Sequence, residues 1–236
     1  MSYDFPVPPD HLLEAEQQTF TIKSCYQYSY EWYRYVGQLC MFSAHIDVKN
    51  FPGLSVNQYA IIVGLLCRIT RLMLNNMTLS CKGNNGETTS IIDRCINESA
   101  IKLIWLCNNP TSDKFNIFIS DGLKNDLKLK KDINQIILER NTSATPMEQR
   151  MLDSIENYIK QSGLTESEIE NTKKMPDVAS ILKKLESHDI TYRCLMTMGA
   201  HSIHGTWSSL IKDFVVIESG KALFKDAITC SSSNLI

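Results

Sequence analysis

Apolar residues recur at every third or fourth position along most of the chain, and sustained alternation with a period of two is hard to find. That spacing predicts helix nearly throughout. Pro8-Pro9-Asp10 signals the start of a helix running to about His45, with an interruption near Thr19 to Thr21. Pro52-Gly53 breaks the chain, and the Ser55 hydroxyl is placed to cap a second helix through about Ser80. After a loop at Lys82-Gly83-Asn84-Asn85-Gly86, a third helix is expected from Glu87 to Asn108, stopped by Pro110.

From Ser112 to Arg140 the pattern turns more polar, as in a surface helix pair or one long exposed helix. Pro146 suits the first turn of a helix reaching Gln161, and Thr165-Glu166-Ser167-Glu168 has the form of a capping box. Pro176-Asp177 opens a helix to about Ser187. Asp189 caps a last helical region running to about Glu218, with a bend at Gly205. The expectation is an all-α fold, a single bundle of about seven to nine helices. Residues 1–50 would pack on a core of 51–220, with a tail from 221 to 236, all within one domain.

The composition agrees with a folded chain. Of 236 residues 43% are apolar and 21% charged, with only 10 Gly and 7 Pro, which argues against wholesale disorder and fibrous repeats. A net charge of -2 argues against a general polyanion binder, although Lys124, Lys128, Lys130 and Lys131 form a local basic strip. No secretory signal is visible at the N-terminus, and the longest apolar run, Tyr59 to Cys67, is far below the ~20 residues a bilayer requires. The expected setting is the cytoplasm, with no membrane contact. The 8 Cys contain no C-x-x-C pair and read as reduced core thiols.

The third helix carries the most informative charges. On a helical wheel Arg94, Glu98, Ile101 and Trp105 fall within about 60° of one another, so two opposite charges share a stripe with two large apolar groups. Burial of either charge alone would be costly, which calls for a third polar partner. In the last helix Tyr192, Met196, Ile203, Trp207, Leu210 and Phe214 form an apolar face. His204 lies at its rim beside Arg193 and Thr197, and His201 projects toward solvent. Arg94, Glu98 and His204 are therefore the catalytic candidates, and Tyr192, Arg193 and His201 the candidates for substrate contact.

At these positions the sequence resembles a bacterial family known only as domain of unknown function 5677. The likeness rests on Ile91-Ile92 followed by Arg94-x-x-x-Glu98, on Met175-Pro176-Asp177-Val178, on Tyr192 and Arg193, and on His204-Gly205-Thr206, spanning roughly Ile61 to Phe214. The Ser usual in that family four residues before the histidine is Ala200 here. The resemblance implies an all-helical intracellular domain with a polar cluster between the Arg/Glu helix and the His helix. A looser likeness is to HEPN helical domains of toxin and phage-defence systems, although the spacing from Arg193 to His201 or His204 exceeds that of the HEPN motif.

Two functions from different classes fit these residues. One is metal-independent RNA cleavage in a toxin-like or defence-associated protein. His204 would move a proton, Arg94 and Arg193 would stabilise phosphorane charge, and Glu98 would orient its neighbours. The other is a non-enzymatic interaction or sensor domain in which the cluster fixes helix register, supported by the crowding of Tyr26, Tyr28, Tyr30, Trp32, Tyr33 and Tyr35. The partners expected are RNA in the first case, and a protein or a second copy of the chain in the second. No cofactor is expected. A metal site built on His201, His204 and Glu98 lacks a second Glu-x-x-His and a bridging carboxylate, so no metal is assigned. P-loop, Rossmann, HExxH and Gly-x-Ser-x-Gly signatures are absent from the sequence.

Overall fold

A computed structural model describes residues 7–8, 10, 22–47, 49, 51, 53–80, 86–185, 196, 198–204, 206–218 and 221–224. Among these residues there are nine helices and one short hairpin, an all-α fold with a minimal β element. The helices are α1 (Ile22–Ala44), α2 (Val56–Ser80), α3 (Gly86–Cys107), α4 (Ser112–Arg140), α5 (Pro146–Ser162), α6 (Glu166–Asn171), α7 (Val178–Lys184), α8 (Met198–Ile203) and α9 (Trp207–Asp213). Strands β1 (Val215–Glu218) and β2 (Lys221–Phe224) pair antiparallel, with Val215 opposite Phe224 and Glu218 opposite Lys221. Several expected features lie outside the described residues: the helix start at Pro9 and its break near Thr19 to Thr21, the loop at residues 82–85, the Asp189 cap and the bend at Gly205.

By its internal packing the chain divides into two compact units, residues 1–105 with 178–236, and residues 106–177. In the first, Ile69, Met73 and Ile96 form a buried cluster with Tyr33, Cys40, Leu72, Ile92, Ala100 and Leu103 packed on it, so α2 lies against both α1 and α3. The Thr70 hydroxyl donates to the carbonyl of Leu66 (3.0 Å) and reaches that of Gly37 (3.4 Å), across the α1–α2 contact. Helix α2 is long and apolar enough to cross a membrane by length and composition, a test that the core helices of soluble proteins also pass. It begins at a reciprocal cap, in which Ser55 N–H donates to Gln58 Oε1 (2.9 Å) and Gln58 N–H to Ser55 Oγ (3.3 Å).

The second unit is built on one unbroken 29-residue helix, α4, rather than a pair. Thr111 caps its start and Asn141, in the left-handed conformation, ends it. Leu123, Leu127 and Ile169 make the buried cluster, with Ile119, Ile159 and Leu164 packed against it. Both α5 and α6 start at complete capping boxes, Thr145 with Glu148 and Thr165 with Glu168. Three lysines of the strip on α4 are taken up locally: Lys130 pairs with Glu156 (3.2 Å) and Glu166 (2.9 Å), Lys131 with Glu170 (2.6 Å), and Lys124 donates to the carbonyl of Thr172, while Lys128 is exposed.

Glu148 gives this unit a defined acid sensitivity. Its carboxylate receives both terminal nitrogens of Arg140 (3.0 and 2.7 Å) and the Thr145 amide (2.7 Å), and the Arg140 contact first, then the cap, lower its pKa from 4.5 to about 2. A carboxylate with a depressed folded-state pKa contributes stability that is fully present above about pH 4.5 and is lost as pH falls toward 2. Melting temperature measured against pH should therefore fall less steeply across that window in Glu148→Gln than in the natural chain.

Candidate functional site

Two polar clusters converge on α3, one on each side of neighbouring residues. The first is the predicted pair. Arg94 donates through Nε to Glu98 Oε1 (3.0 Å) and through Nη1 to the carbonyl oxygen of Met196 (3.2 Å). The third polar partner is thus a main-chain oxygen. The side chains of Arg94 and Glu98 are 24% and 34% exposed, so solvent screens the pair and an i,i+4 contact of this kind contributes only about 0.3–0.5 kcal/mol. Further along the same helix Ile101 and Trp105 are buried.

The segment that meets Arg94 does so through a glycine. A Cβ placed on Gly199 would lie 2.6 Å from Arg94 Cβ and 2.8 Å from the Ser90 carbonyl oxygen, closer than packed atoms approach. Gly199 therefore marks the face of α8 that is pressed on α3. His201, two residues on, points roughly 200° away around the helix. His204, whose amide still bonds the Ala200 carbonyl in helical register (3.1 Å), points about 140° away.

Neither imidazole shares the face that holds Arg94. The His201 ring is half-buried, with Nδ1 2.8 Å from the Thr206 hydroxyl, whereas His204 is exposed. This reverses the order expected from the wheel, in which His204 faces the cleft and His201 faces solvent. Tyr192 and Arg193 lie outside the described residues.

Of the apolar face expected for the last helix, Met196 is buried, Tyr192 lies outside the described residues, and the rest is turned outward. Ile203, Trp207, Leu210 and Phe214 are exposed, while Met196, Ser202 and Ser209 are buried and the Ser209 hydroxyl donates to Glu87 Oε1 (3.1 Å). Gly199 and Ser209 thus meet α3, and Trp207 and Leu210 on α9, with Phe214 capping its end, form an outward apolar stripe at three- and four-residue spacing. The residues expected to continue this helix, Val215–Glu218, form β1 instead. Among the described residues no group of three His, Cys, Asp or Glu side chains is placed to hold a metal ion.

The second cluster was not singled out by the sequence pattern. Asp93 faces the α1–α2 side of α3. Its Oδ1 accepts from the Tyr33 hydroxyl (2.9 Å) and from Asn76 Nδ2 (2.6 Å), and the same amide nitrogen donates to the Tyr33 oxygen (3.0 Å). Burial pushes the Asp93 carboxyl above its usual range, against the pull of the Tyr33 and Asn76 hydrogen bonds. Burial also raises the Tyr33 phenol strongly; the Asn76 bond opposes this and the neighbouring Asp93 charge adds to it. The signal available in the sequence was Asn76 following Ile69 and Met73 at four- and three-residue steps, a polar side chain continuing an apolar stripe.

With both clusters placed, comparison with known families adds one finding. A model described as "Family of unknown function (DUF5677)" matches residues 59–222. The chain belongs to this family. No curated protein and no solved structure matches it. The matched region of this DUF5677 chain takes in Asn76, Asp93, Arg94, Glu98, Met196, Gly199 and both histidines, and leaves α1 with Tyr33 outside.

Proposed function

We propose that this DUF5677 protein is a non-enzymatic interaction or sensor domain, in which Arg94 and Glu98 act as a clasp that holds residues 196–203 on α3. What carries this is the use to which the guanidinium is put: Nε donates to Glu98 and Nη1 to a main-chain carbonyl, which splits the terminal pair, beside a glycine contact too tight for any side chain. A phosphate-binding arginine would keep its paired terminal nitrogens for the ligand. The clasp turns the Trp207, Leu210 and Phe214 stripe to solvent, an apolar face of the kind that a protein partner or a second copy covers. Free thiols at Cys40, Cys67, Cys95 and Cys107 fit a cytoplasmic setting.

The competing proposal is a toxin-like or defence-associated, HEPN-like ribonuclease using Arg94, Glu98 and His204. One observation favours it, that solvent reaches both Arg94 and Glu98. The two separate in one experiment. On the clasp reading, purified protein leaves single-stranded RNA intact and His204→Ala changes nothing. Arg94→Ala lowers the stability by on the order of 1 kcal/mol for the orphaned carbonyl and carboxylate, read as a lower melting temperature, and opens residues 196–203 to protease. RNA cleavage that survives purification and disappears in His204→Ala overturns the clasp reading in favour of the nuclease.

A further inference from the structure

Between α1, α2 and α3 lies a hollow of about 160 Å³, walled by Tyr30, Tyr33, Met77 and Ser80, with Asn76 and Asp93 in its lining. Its hydrogen-bond arithmetic does not close. The Tyr33 proton goes to Asp93, and the Asn76 amide nitrogen donates to Tyr33 and to Asp93, so every donor of the trio is used. One carboxylate oxygen is left over. Both bonds to the Asp93 carboxylate fall on Oδ1 and none on Oδ2. The Asn76 Oδ1, in a residue only 4% exposed, also has no partner among the described residues, but it is closed off from solvent and does not open on the hollow. Reversing the Asn76 amide would set its oxygen against the carboxylate oxygen at 2.6 Å, acceptor against acceptor, so the orientation described is the one that suits an ionised Asp93.

The charge is left over as well. Both groups bonded to Asp93 are neutral donors, and the adjacent Arg94 is turned to the other side of α3, toward Glu98 and Met196. A half-buried carboxylate with no counter-charge among the described residues is costly to keep, and its free oxygen can accept from a donor outside the chain. A group that suits this carboxylate is cationic and carries N–H donors. Aromatic rings at Tyr30 and Tyr33 attract a cation at their faces, and Met77 offers an apolar surface to a short stem. The volume is below the ~300 Å³ of a drug-sized pocket, which limits the occupant to a small head group. A metal ion is a poor match, because hard cations take six or more oxygen ligands and Asp93 is the one carboxylate in this lining.

We propose that this hollow binds a small organic cation, a primary ammonium on a short aliphatic stem of the alkylamine or diamine class, with Asp93 as its counter-ion and Asn76 and Tyr33 as positioning groups. The test uses the full chain, with melting temperature and titration calorimetry read against n-butylammonium and 1,4-diaminobutane. Controls are n-butanol, which has the stem without the charge, tetramethylammonium, which has the charge without N–H donors, and potassium chloride at matched ionic strength. A saturable rise in melting temperature is expected with the two primary amines and with none of the controls.

Asp93→Asn keeps an acceptor for Tyr33 and Asn76 while removing the charge, so this variant should fold, melt no lower than the natural chain without ligand, and bind the amines at least tenfold more weakly. If Asp93→Asn fails to fold, Ser29→Trp at the exposed rim supplies the second arm: it fills the hollow from outside and should abolish the response. The proposal is overturned if the primary amines give no saturable response, if tetramethylammonium or matched salt reproduces it, or if it persists in a folded Asp93→Asn or Ser29→Trp variant.

Discussion

Gly199→Ala should destabilise the chain by about 1–3 kcal/mol, the usual cost of forcing a methyl group into a packed site. For a chain of this size each kcal/mol corresponds to roughly 2–4 °C of melting temperature. The atoms in the way cannot yield cheaply. One is a main-chain carbonyl oxygen, Ser90, at 2.8 Å, and another is the Cβ of Arg94 at 2.6 Å, fixed to the helix at its root; only Arg94 Cδ, at 3.3 Å, belongs to a flexible stem. The added methyl must therefore push α8 away from α3. That motion lengthens the Arg94 to Met196 hydrogen bond, now 3.2 Å, and dismantles the clasp from its other end. Hydrogen exchange should report faster amide exchange across residues 196–203. A Gly199→Ala variant with unchanged melting and exchange would show that the contact is looser than its geometry indicates.

The residues that govern this contact were only partly legible in the sequence, for reasons that can be named. Local signals were read well where they act within one turn. Ser55 with Gln58 and Thr165 with Glu168 cap the starts of α2 and α6, and Pro146 opens α5, because capping chemistry depends on a few neighbouring residues. The Arg94–Glu98 pair was legible for the same reason, since four residues along a helix fix the distance between them. Phase over longer stretches was not.

The wheel from Tyr192 to Phe214 treats one continuous helix, but Met196 sits in a π-helical turn and the described helices break between His204 and Trp207. One extra residue in a turn shifts everything after it by about 100°, enough to carry His204 off the face that meets α3 and to turn Trp207 outward. The β hairpin was missed because Val215-Val216-Ile217 follows an apolar helix without any polar alternation. The Tyr33, Asn76 and Asp93 cluster needed three segments brought together in space. No local rule announces that, although Asn76 in an apolar stripe was an available clue.

Ile169→Ala should have the largest effect, a loss of about 2–5 kcal/mol, because deleting a buried isoleucine removes its transfer free energy and leaves a cavity. Ile169 is fully buried against Leu123 and Leu127, with Ile119, Ile159 and Leu164 around it. Its helix, α6, has only 6 residues, far too few to hold a helical turn by propensity alone, so its stability must come from packing and from the Thr165–Glu168 box. The ion pairs alongside do not substitute for that packing. Lys131 and Glu170 are well exposed, where solvent screening leaves such contacts little net worth. Removing the Lys131 charge should accordingly leave the melting temperature almost unchanged, while Ile169→Ala lowers it by several degrees and speeds amide exchange most in α4, α5 and α6. The opposite ranking, with Lys131→Ala more damaging than Ile169→Ala, would mean that this unit is held by its surface charges and not by the cluster on which α6 sits.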